Sequence, residues 1–296
     1  METMGFLGPS GTHSEAAALY LAKRLGTEMA LRAYPDIFSA MEGVANGEVN
    51  SAFVPAENSI EGAVNITLDT LATSEDLHIE RELIWDIHHQ LMARCPAEEI
   101  RTIYSHPQPL AQCRRFLKAR FPLAQLLTTA STARAAKIVA EGEEGAAAIC
   151  TARAGELYDL TPIATEIQDD MRNCTRFYQI RRPPLAPLPE GAGGRAAIVC
   201  QIEGAKAGSL CDVLGEFSSR QVNMTRIESR PARMGLGVYL FFFDLEIEAL
   251  RPRAPLEEAI AAVRKKSLWL KDLGRFPVLT HEAERHGEPS ARPARP

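Results

Sequence analysis

From residue 4 to residue 158, apolar runs of strand length keep ending in polar or glycine-bearing turns that lead into helical patterns. The runs are 4–7, 51–55, 100–104, 126–129 and 146–150, and the helical stretches that follow them are 16–25, 65–71, 114–121, 131–141 and 151–158. A further helix is expected at 34–46, and strand patterns at 77–91 and 163–167. Repeated strand–turn–helix units predict helices laid over mainly parallel sheets, because a parallel connection has to cross a sheet face. In such sheets ligands sit beyond the carboxyl ends of the strands, so the turns are where chemistry is expected.

The pattern stops at Pro183, Pro184, Pro187 and Pro189, which stand in a Pro-, Gly- and Ala-rich stretch over 182–194. Such composition reads as a linker. Beyond it the order changes to strand 196–202, helix 210–220, strands 223–228 and 237–246, helix 256–266 and strand 268–278. That is βαββαβ, the ferredoxin-like pattern. The chain is therefore expected to divide into a domain at 1–181, the linker at 182–194, a second domain at 195–278 and a disordered tail at 279–296. The tail is charged and proline-rich.

The 296 residues carry 33 basic and 38 acidic side chains, for a net charge of −5. No basic patch for nucleic acid follows from that balance. No apolar run has the length of a membrane span, and Met1-Glu2-Thr3-Met4 carries an acid where a signal peptide carries positive charge. A cytoplasmic protein with no membrane partner is expected. The six cysteines show no CxxC spacing, and the adjacent His88 and His89 are joined to no paired-cysteine motif. Free thiols are expected, with neither a metal site nor disulfides.

Four polar stretches are candidates to meet in one cleft. In 8–15, Ser10, Thr12 and Ser14 can cap the following helix, and the amides around Gly11 could hold an anion; a plain βα turn fits equally. In 55–64, Glu57, Asn58, Ser59 and Glu61 are more polar groups than capping needs. In 105–113, Ser105 can cap, His106 suits either a ligand contact or a structural hydrogen bond, and the Gln112 amide could face a cleft. The fourth, Asn173-Cys174-Thr175-Arg176-Phe177, follows Asp169 and Asp170 and runs into the apolar 177–180. Alone it reads as a polar loop with helix-capping residues.

Taken together these stretches resemble prephenate dehydratases. The resemblance is carried by Gly8-Pro9-Ser10-Gly11-Thr12, Glu57-Asn58-Ser59 with Glu61-Gly62, Tyr104-Ser105-His106-Pro107-Gln108 and Thr175-Arg176-Phe177. In the second domain, Gly208-Ser209-Leu210 and Glu228-Ser229-Arg230-Pro231 resemble the family's regulatory ACT domain. What this implies is a catalytic domain of two α/β lobes around a cleft, like a type II periplasmic binding protein, followed by an ACT module that binds phenylalanine. It implies catalytic Thr175, Asn58, Ser105 and Gln112, with substrate contacts from Arg176, Glu57, Ser59, Thr12 and Gly11. Arg176 could pair with a substrate carboxylate or brace its own segment, and Glu57 could brace or supply a proton. The regulatory residues implied are Gly208, Ser209, Leu210, Asn223, Glu228, Ser229, Arg230 and Pro231, paired across a subunit interface in a homodimer or homotetramer. No cofactor and no metal are implied. With no chorismate mutase segment before Met4, the expected chain is monofunctional. The sequence departs from the family's pattern at His13, Ala56, Ala63, Ala207 and Ser209. Arogenate dehydratase, or a ligand-binding regulator without catalysis, are the alternative functions.

Overall fold

The computed structural model describes residues 1–142, 144–233 and 237–281. The expected tail beyond 281 lies outside the described residues. The chain opens with β1 (Glu2–Leu7), α1 (His13–Leu25), β2 (Met29–Tyr34), α2 (Ile37–Ala45) and β3 (Ser51–Asn58). A short β4 (Gly62–Ala63) leads into α3 (Asn65–Thr73) and β5 (His78–Asp86). The chain then crosses to a second sheet built from β6 (Gln90–Ala93), β7 (Thr102–Ser105), β8 (Gln125–Thr128), β9 (Ala146–Cys150) and β10 (Thr161–Ala164). Its helices are α4 (Pro107–Gln112), α5 (Arg114–Arg120), α6 (Thr132–Ala140) and α7 (Ala152–Tyr158). It returns to the first sheet as β11 (Cys174–Arg181).

Local chemistry sets the helix ends that matter for the site. Thr12 caps α1 by accepting a hydrogen bond from the Glu15 amide at 3.3 Å, and Gly26 closes the helix in the left-handed conformation at φ 63°. Ser131 and Thr151 cap α6 and α7 in the same side-chain manner. A side-chain oxygen at each N-cap satisfies an amide that has no partner within the helix.

The first sheet runs β16-β5-β11-β3-β1-β2, with β4 attached to β3; the second runs β10-β6-β9-β7-β8. Both are mixed, where mainly parallel sheets were expected. β11 lies antiparallel to β3 and to β5, and β6 lies antiparallel to β9 and to β10. Antiparallel direction arises because the chain crosses between the sheets and re-enters from the far end. The 173–177 stretch, expected as a loop, is mostly strand: Thr175 and Arg176 stand near the start of β11, in the middle of the sheet. β2 is an element not anticipated from sequence, and α2 begins at Ile37, not at residue 34.

After the proline-rich stretch come β12 (Gly194–Gln201), α8 (Ser209–Ser219), β13 (Met224–Pro231), β14 (Tyr239–Ile247), α9 (Ala254–Lys266) and β15 (Trp269–Phe276). They form an antiparallel sheet in the order β13-β14-β12-β15. One face carries α8 and α9 over Ile198, Val213, Phe217, Phe243 and Val263. The other packs on the first sheet: Ala197, Val199, Phe242 and Phe276 share one buried cluster with Val54, Tyr178 and Ile180. Burying a side chain such as Phe242 here contributes roughly 1.5–3 kcal/mol. The chain does not end in the second module. β16 (Val278–Thr280) pairs with β5 in parallel and completes the first sheet, where a disordered tail was expected from residue 279.

Alternation along β11 decides which way its side chains face. Phe177 packs beneath α1 with Met4, Phe6, Ala17 and Phe53, and its ring stacks on Phe53 at 4.9 Å. Thr175 shares that face. Arg176 and Tyr178 point the other way, toward the second module.

Candidate active site

The site begins with two backbone amides. The N–H groups of Ile60 and Glu61 donate to Asn58 Oδ1 at 3.0 and 3.2 Å. Backbone N–H can only donate, so this end of the Asn58 amide is the oxygen. Asn58 Nδ2 therefore points toward β11, where it donates to Asn173 Oδ1 at 3.0 Å, to the Cys174 carbonyl at 3.2 Å and to Thr175 Oγ1 at 3.0 Å. Asn173, with its oxygen taken, turns its Nδ2 to Gln112 Oε1 at 3.1 Å. Gln112 Oε1 also receives His89 Nε2 at 2.8 Å.

Three consequences follow from this directional chain. Thr175 Oγ1 accepts from Asn58, so its own hydrogen is left to give away. Gln112 Nε2 is buried without a hydrogen-bond partner among the described residues. The His89 proton is fixed on Nε2, leaving buried Nδ1 as an acceptor with no partner among the described residues. His13 meets the His89 ring edge-on at 5.5 Å between centroids. Burial lowers the His89 imidazole below its usual range, and burial with the neighbouring His89 and His88 takes His13 down to about 3. Both rings are neutral at pH 7. The arrangement offers neutral hydrogen-bond donors, which suits a small ligand that brings its own negative charge.

The chain of amides bridges the two sheets. Gln112 belongs to α4 of the second sheet, Asn58 and Thr175 to the first. The two crossing segments are laced together: Ile87 N–H donates to the Asn173 carbonyl at 2.9 Å, and Ile167 N–H to that of His89 at 3.1 Å. The loop before α1 makes a separate bridge. Thr151 Oγ1 donates to the Gly11 carbonyl at 2.8 Å, and Arg153 Nε meets Glu15 at 3.3 Å. Gly11 has φ +88°, and a Cβ there would sit 3.3 Å from those of Ala133 and Ala154. Only glycine suits a left-handed turn pressed this closely against α6 and α7.

Several residues expected in the cleft are committed elsewhere. Ser105 is fully buried and donates to the Ile149 carbonyl at 2.7 Å, tying β7 to β9. Thr12 spends its hydroxyl on the Pro9 carbonyl and the α1 cap, and the Gly11 N–H donates to Glu15. Ser59 Oγ accepts from the Cys174 amide at 3.0 Å and so holds its turn onto β11. Arg176 faces away from Thr175 because of strand alternation. It pairs with Glu82 at 3.3 Å, Glu57 at 3.5 Å and Asp244 of β14. Glu57 is held in addition by Arg226 of β13 at 3.3 Å. Of the two readings each for Arg176 and Glu57, bracing fits this geometry.

Asn173 and His89 complete the site and were not singled out for it by sequence. Asn173 lay inside the polar stretch but looked like a capping residue. The only signal at His89 was a histidine pair interrupting an apolar run, which carries no direction.

In the second module, Gly208, Ser209 and Leu210 form the start of α8, with Gly208 left-handed at φ 85°. Glu228 to Pro231 end β13. Arg230 is turned to the first domain, where it makes a two-point pair with Asp69 of α3 at 3.1 and 3.0 Å. Asn223 Nδ2 donates to Glu246 at 2.6 Å. Lys271 Nζ donates to the carbonyls of Leu71, at 2.7 Å, and Ser74 at the end of α3.

Fold and site define a class: a two-sheet α/β protein with neutral donors where its two sheets are bridged, joined to a βαββαβ module that braces the first sheet. A family model for prephenate dehydratase matches residues 4–184. Prephenate dehydratase of Amycolatopsis methanolica is 38% identical over 93% of this chain and 88% of its own length. The crystal structure of prephenate dehydratase from Arthrobacter aurescens in complex with L-Phe has a TM-score of 0.83 at 33% identity, covering 93% of this chain and 90% of that one. A structure described as a novel type of quorum quenching acylase has a TM-score of 0.82 at 26% identity, covering 93% of this chain and 98% of that one. The chain belongs to the prephenate dehydratase family.

Proposed function

We propose that this protein is a prephenate dehydratase, converting prephenate to phenylpyruvate, CO2 and water in phenylalanine biosynthesis. The observation that carries the reading is the Thr175 hydroxyl hydrogen, which has no acceptor among the described residues because Asn58 donates to Thr175 Oγ1 at 3.0 Å. In prephenate the carbon–carbon bond to the ring carboxylate breaks, its electron pair enters the ring, and the ring hydroxyl departs as water with one proton drawn from solvent. Aromatisation drives the step. The protein has to hold the two carboxylates and stabilise the departing oxygen. A threonine hydroxyl is far too weak an acid to be a simple proton source, so Thr175 acts as a positioned donor to the leaving group. The Gln112 amide supplies a second set of N–H groups with no competing partner among the described residues.

The likeness to an acylase is not favoured by this site. Acyl transfer needs a nucleophile that gives its proton to a base. Thr175 Oγ1 has the Asn58 amide and no base as its hydrogen-bond partner among the described residues, and the Ser105 proton is spent on the Ile149 carbonyl.

Residues 1–181 are read as the two lobes of a periplasmic-binding-protein-like catalytic domain, and 195–278 as an ACT module. Phenylalanine is the proposed effector, bound where Gly208, Ser209 and Leu210 of one subunit meet Asn223 and Glu228 to Pro231 of another in a homodimer or homotetramer. β13 supports a regulatory path, since its Arg226 reaches Glu57, the neighbour of Asn58, and its Arg230 reaches α3. No helix among the described residues is long and apolar enough to cross a membrane. A cytoplasmic location fits the proposed pathway.

The test is to add prephenate to the purified protein and follow phenylpyruvate absorbance in base. Turnover that falls with millimolar L-phenylalanine is expected. Turnover of arogenate alone moves the activity to the amino analogue, and inactivity on both overturns the reading.

A further inference from the structure

We propose that His89, acting with Asn173, is a positioning residue that locks the Gln112 amide with its nitrogen facing the cleft. The inference rests on the dehydratase reading above and names a residue that touches no substrate atom.

An amide side chain has nearly the same shape either way round, so only its neighbours decide which end faces a ligand. At Gln112 both neighbours are donors. Asn173 Nδ2 lies 3.1 Å from Gln112 Oε1, and His89 Nε2 lies 2.8 Å from it. Turning the Gln112 amide over would set its N–H groups against the Asn173 donor, drive the His89 proton to Nδ1, where it has no partner among the described residues, and present an oxygen to an anionic substrate. The Asn173 orientation is inherited from Asn58 and ultimately from the backbone amides of Ile60 and Glu61. His89 adds the second lock from the opposite side.

The imidazole is well placed to be rigid. His89 is 2% exposed. Its N–H donates to Gln168 Oε1 at 3.0 Å and its carbonyl accepts from Ile167 N–H at 3.1 Å, so both bonds anchor it to the other crossing segment. Gln168 is held in turn by Glu166, which also pairs with His88 at 2.6 Å. The ring is therefore fixed where the two crossings touch, and its Nε2–H direction is set by the framework. What remains unspent is the Gln112 Nε2 group, buried and without a partner among the described residues. A buried amide nitrogen without a partner costs free energy, and a ligand oxygen placed against it would recover that cost.

The test is a double-mutant cycle on the full-length chain with prephenate: wild type, His89→Leu, Gln112→Ala, the double variant and His89→Gln. A residue acting through Gln112 has nothing left to orient once Gln112 is gone. His89→Leu is expected to lower kcat about tenfold with KM changed less than threefold, a hydrogen-bond-sized loss. In the Gln112→Ala background the same change should alter kcat by less than about twofold. His89→Gln places an amide N–H close to the lost Nε2–H and should recover most of the loss. If His89→Leu does not fold, the comparison of His89→Gln with His89→Asn carries the test. Asparagine cannot reach Gln112 and should lose activity that glutamine keeps. Equal losses in both backgrounds, or glutamine no better than asparagine, overturn the inference while the dehydratase reading stands. A wild-type protein that leaves prephenate untouched overturns the reading and the inference with it.

Discussion

Replacing Arg176 by methionine keeps most of the side chain's volume and removes one charge from a buried group of six. Between the first sheet and the second module, Glu57, Glu82 and Asp244 face Arg176, Arg195 and Arg226. The Arg176 side chain is 15% exposed and that of Glu82 0%. Without Arg176, Glu82 keeps only Arg195, and its Oε2 already lacks a partner among the described residues. Breaking one member out of such a buried set costs about 3–5 kcal/mol, because the remaining charge stays buried and uncompensated. At about 2 °C per kcal/mol for a chain of this size, the melting temperature should fall by roughly 6–10 °C. The deficit should depend on pH. Burial raises the Glu82 carboxyl above its usual range, with Arg176 and Arg195 opposing the rise. A carboxyl raised in the folded state favours folding below its unfolded value and loses that contribution as pH climbs through the folded value. Removing Arg176 raises Glu82 further, so the penalty is largest at pH 8 and shrinks toward pH 5. Calorimetry of both proteins at pH 5.5 and pH 8 reads this directly. A deficit below about 1 kcal/mol, or one independent of pH, refutes the reasoning. A large rise in KM with an unchanged melting temperature would instead return Arg176 to the substrate.

Thr175→Ala removes the donor to the leaving oxygen and should lower kcat by roughly 10²–10⁴ with KM nearly constant; near wild-type kcat in steady-state assays would rule it out as that donor. Asp69→Asn weakens the hold of Arg230 and Arg233 on α3 while leaving the identity of every proposed effector residue unchanged, although Arg230 is one of them. Calorimetric binding of L-phenylalanine should stay within threefold while at least half of the maximal inhibition disappears; intact inhibition removes α3 from the regulatory path. Burial brings the Lys271 amine down to about 8. An amine lowered on folding contributes stability above its unfolded value that is lost as pH falls through the folded one. The stability of wild type relative to Lys271→Met should therefore rise between pH 8 and pH 10.5, and a flat difference in thermal melts over that window counts against it.

Much of this architecture could be read from pattern alone. The strand–turn–helix units, the proline-rich break and the βαββαβ order are local features, written in hydrophobic period and turn residues. Strand direction is not local. β11 looks like any apolar run until its neighbours are known, and its antiparallel course depends on where the chain re-enters. Thr175 and Arg176 are adjacent in sequence, and a sequence reading places both in one candidate stretch. Alternation on a strand sends them to opposite faces, so only one can reach the cleft. The polar start of β11 resembled a loop because a strand whose end opens into a cleft carries polar residues where a buried one carries aliphatics. Asn58, Gln112 and Thr175 enter through the resemblance to a family, since their polar types alone fit caps and loops equally well, and Gln112 stands at the end of α4. His89 lies on a segment crossing between sheets, where neither period marks it.

The chain leaves the first sheet at Arg181, builds the whole second module, and comes back at Val278 to lay β16 beside β5, in register from Val278 against Glu82 to Thr280 against Ile84. The His281 ring then packs on Trp85, tilted by 32°, at 3.9 Å between centroids. During synthesis the catalytic half therefore leaves the ribosome with β5 as a raw edge, and it stays unsealed until nearly the last of the described residues has emerged. An open strand edge is a template for pairing with other chains. The two halves are thus not interchangeable cartridges. A chimera that exchanges the regulatory half between relatives has to keep residues 278–281 matched to the host's β5, or the recipient half inherits a sticky border that its own sequence never had to manage.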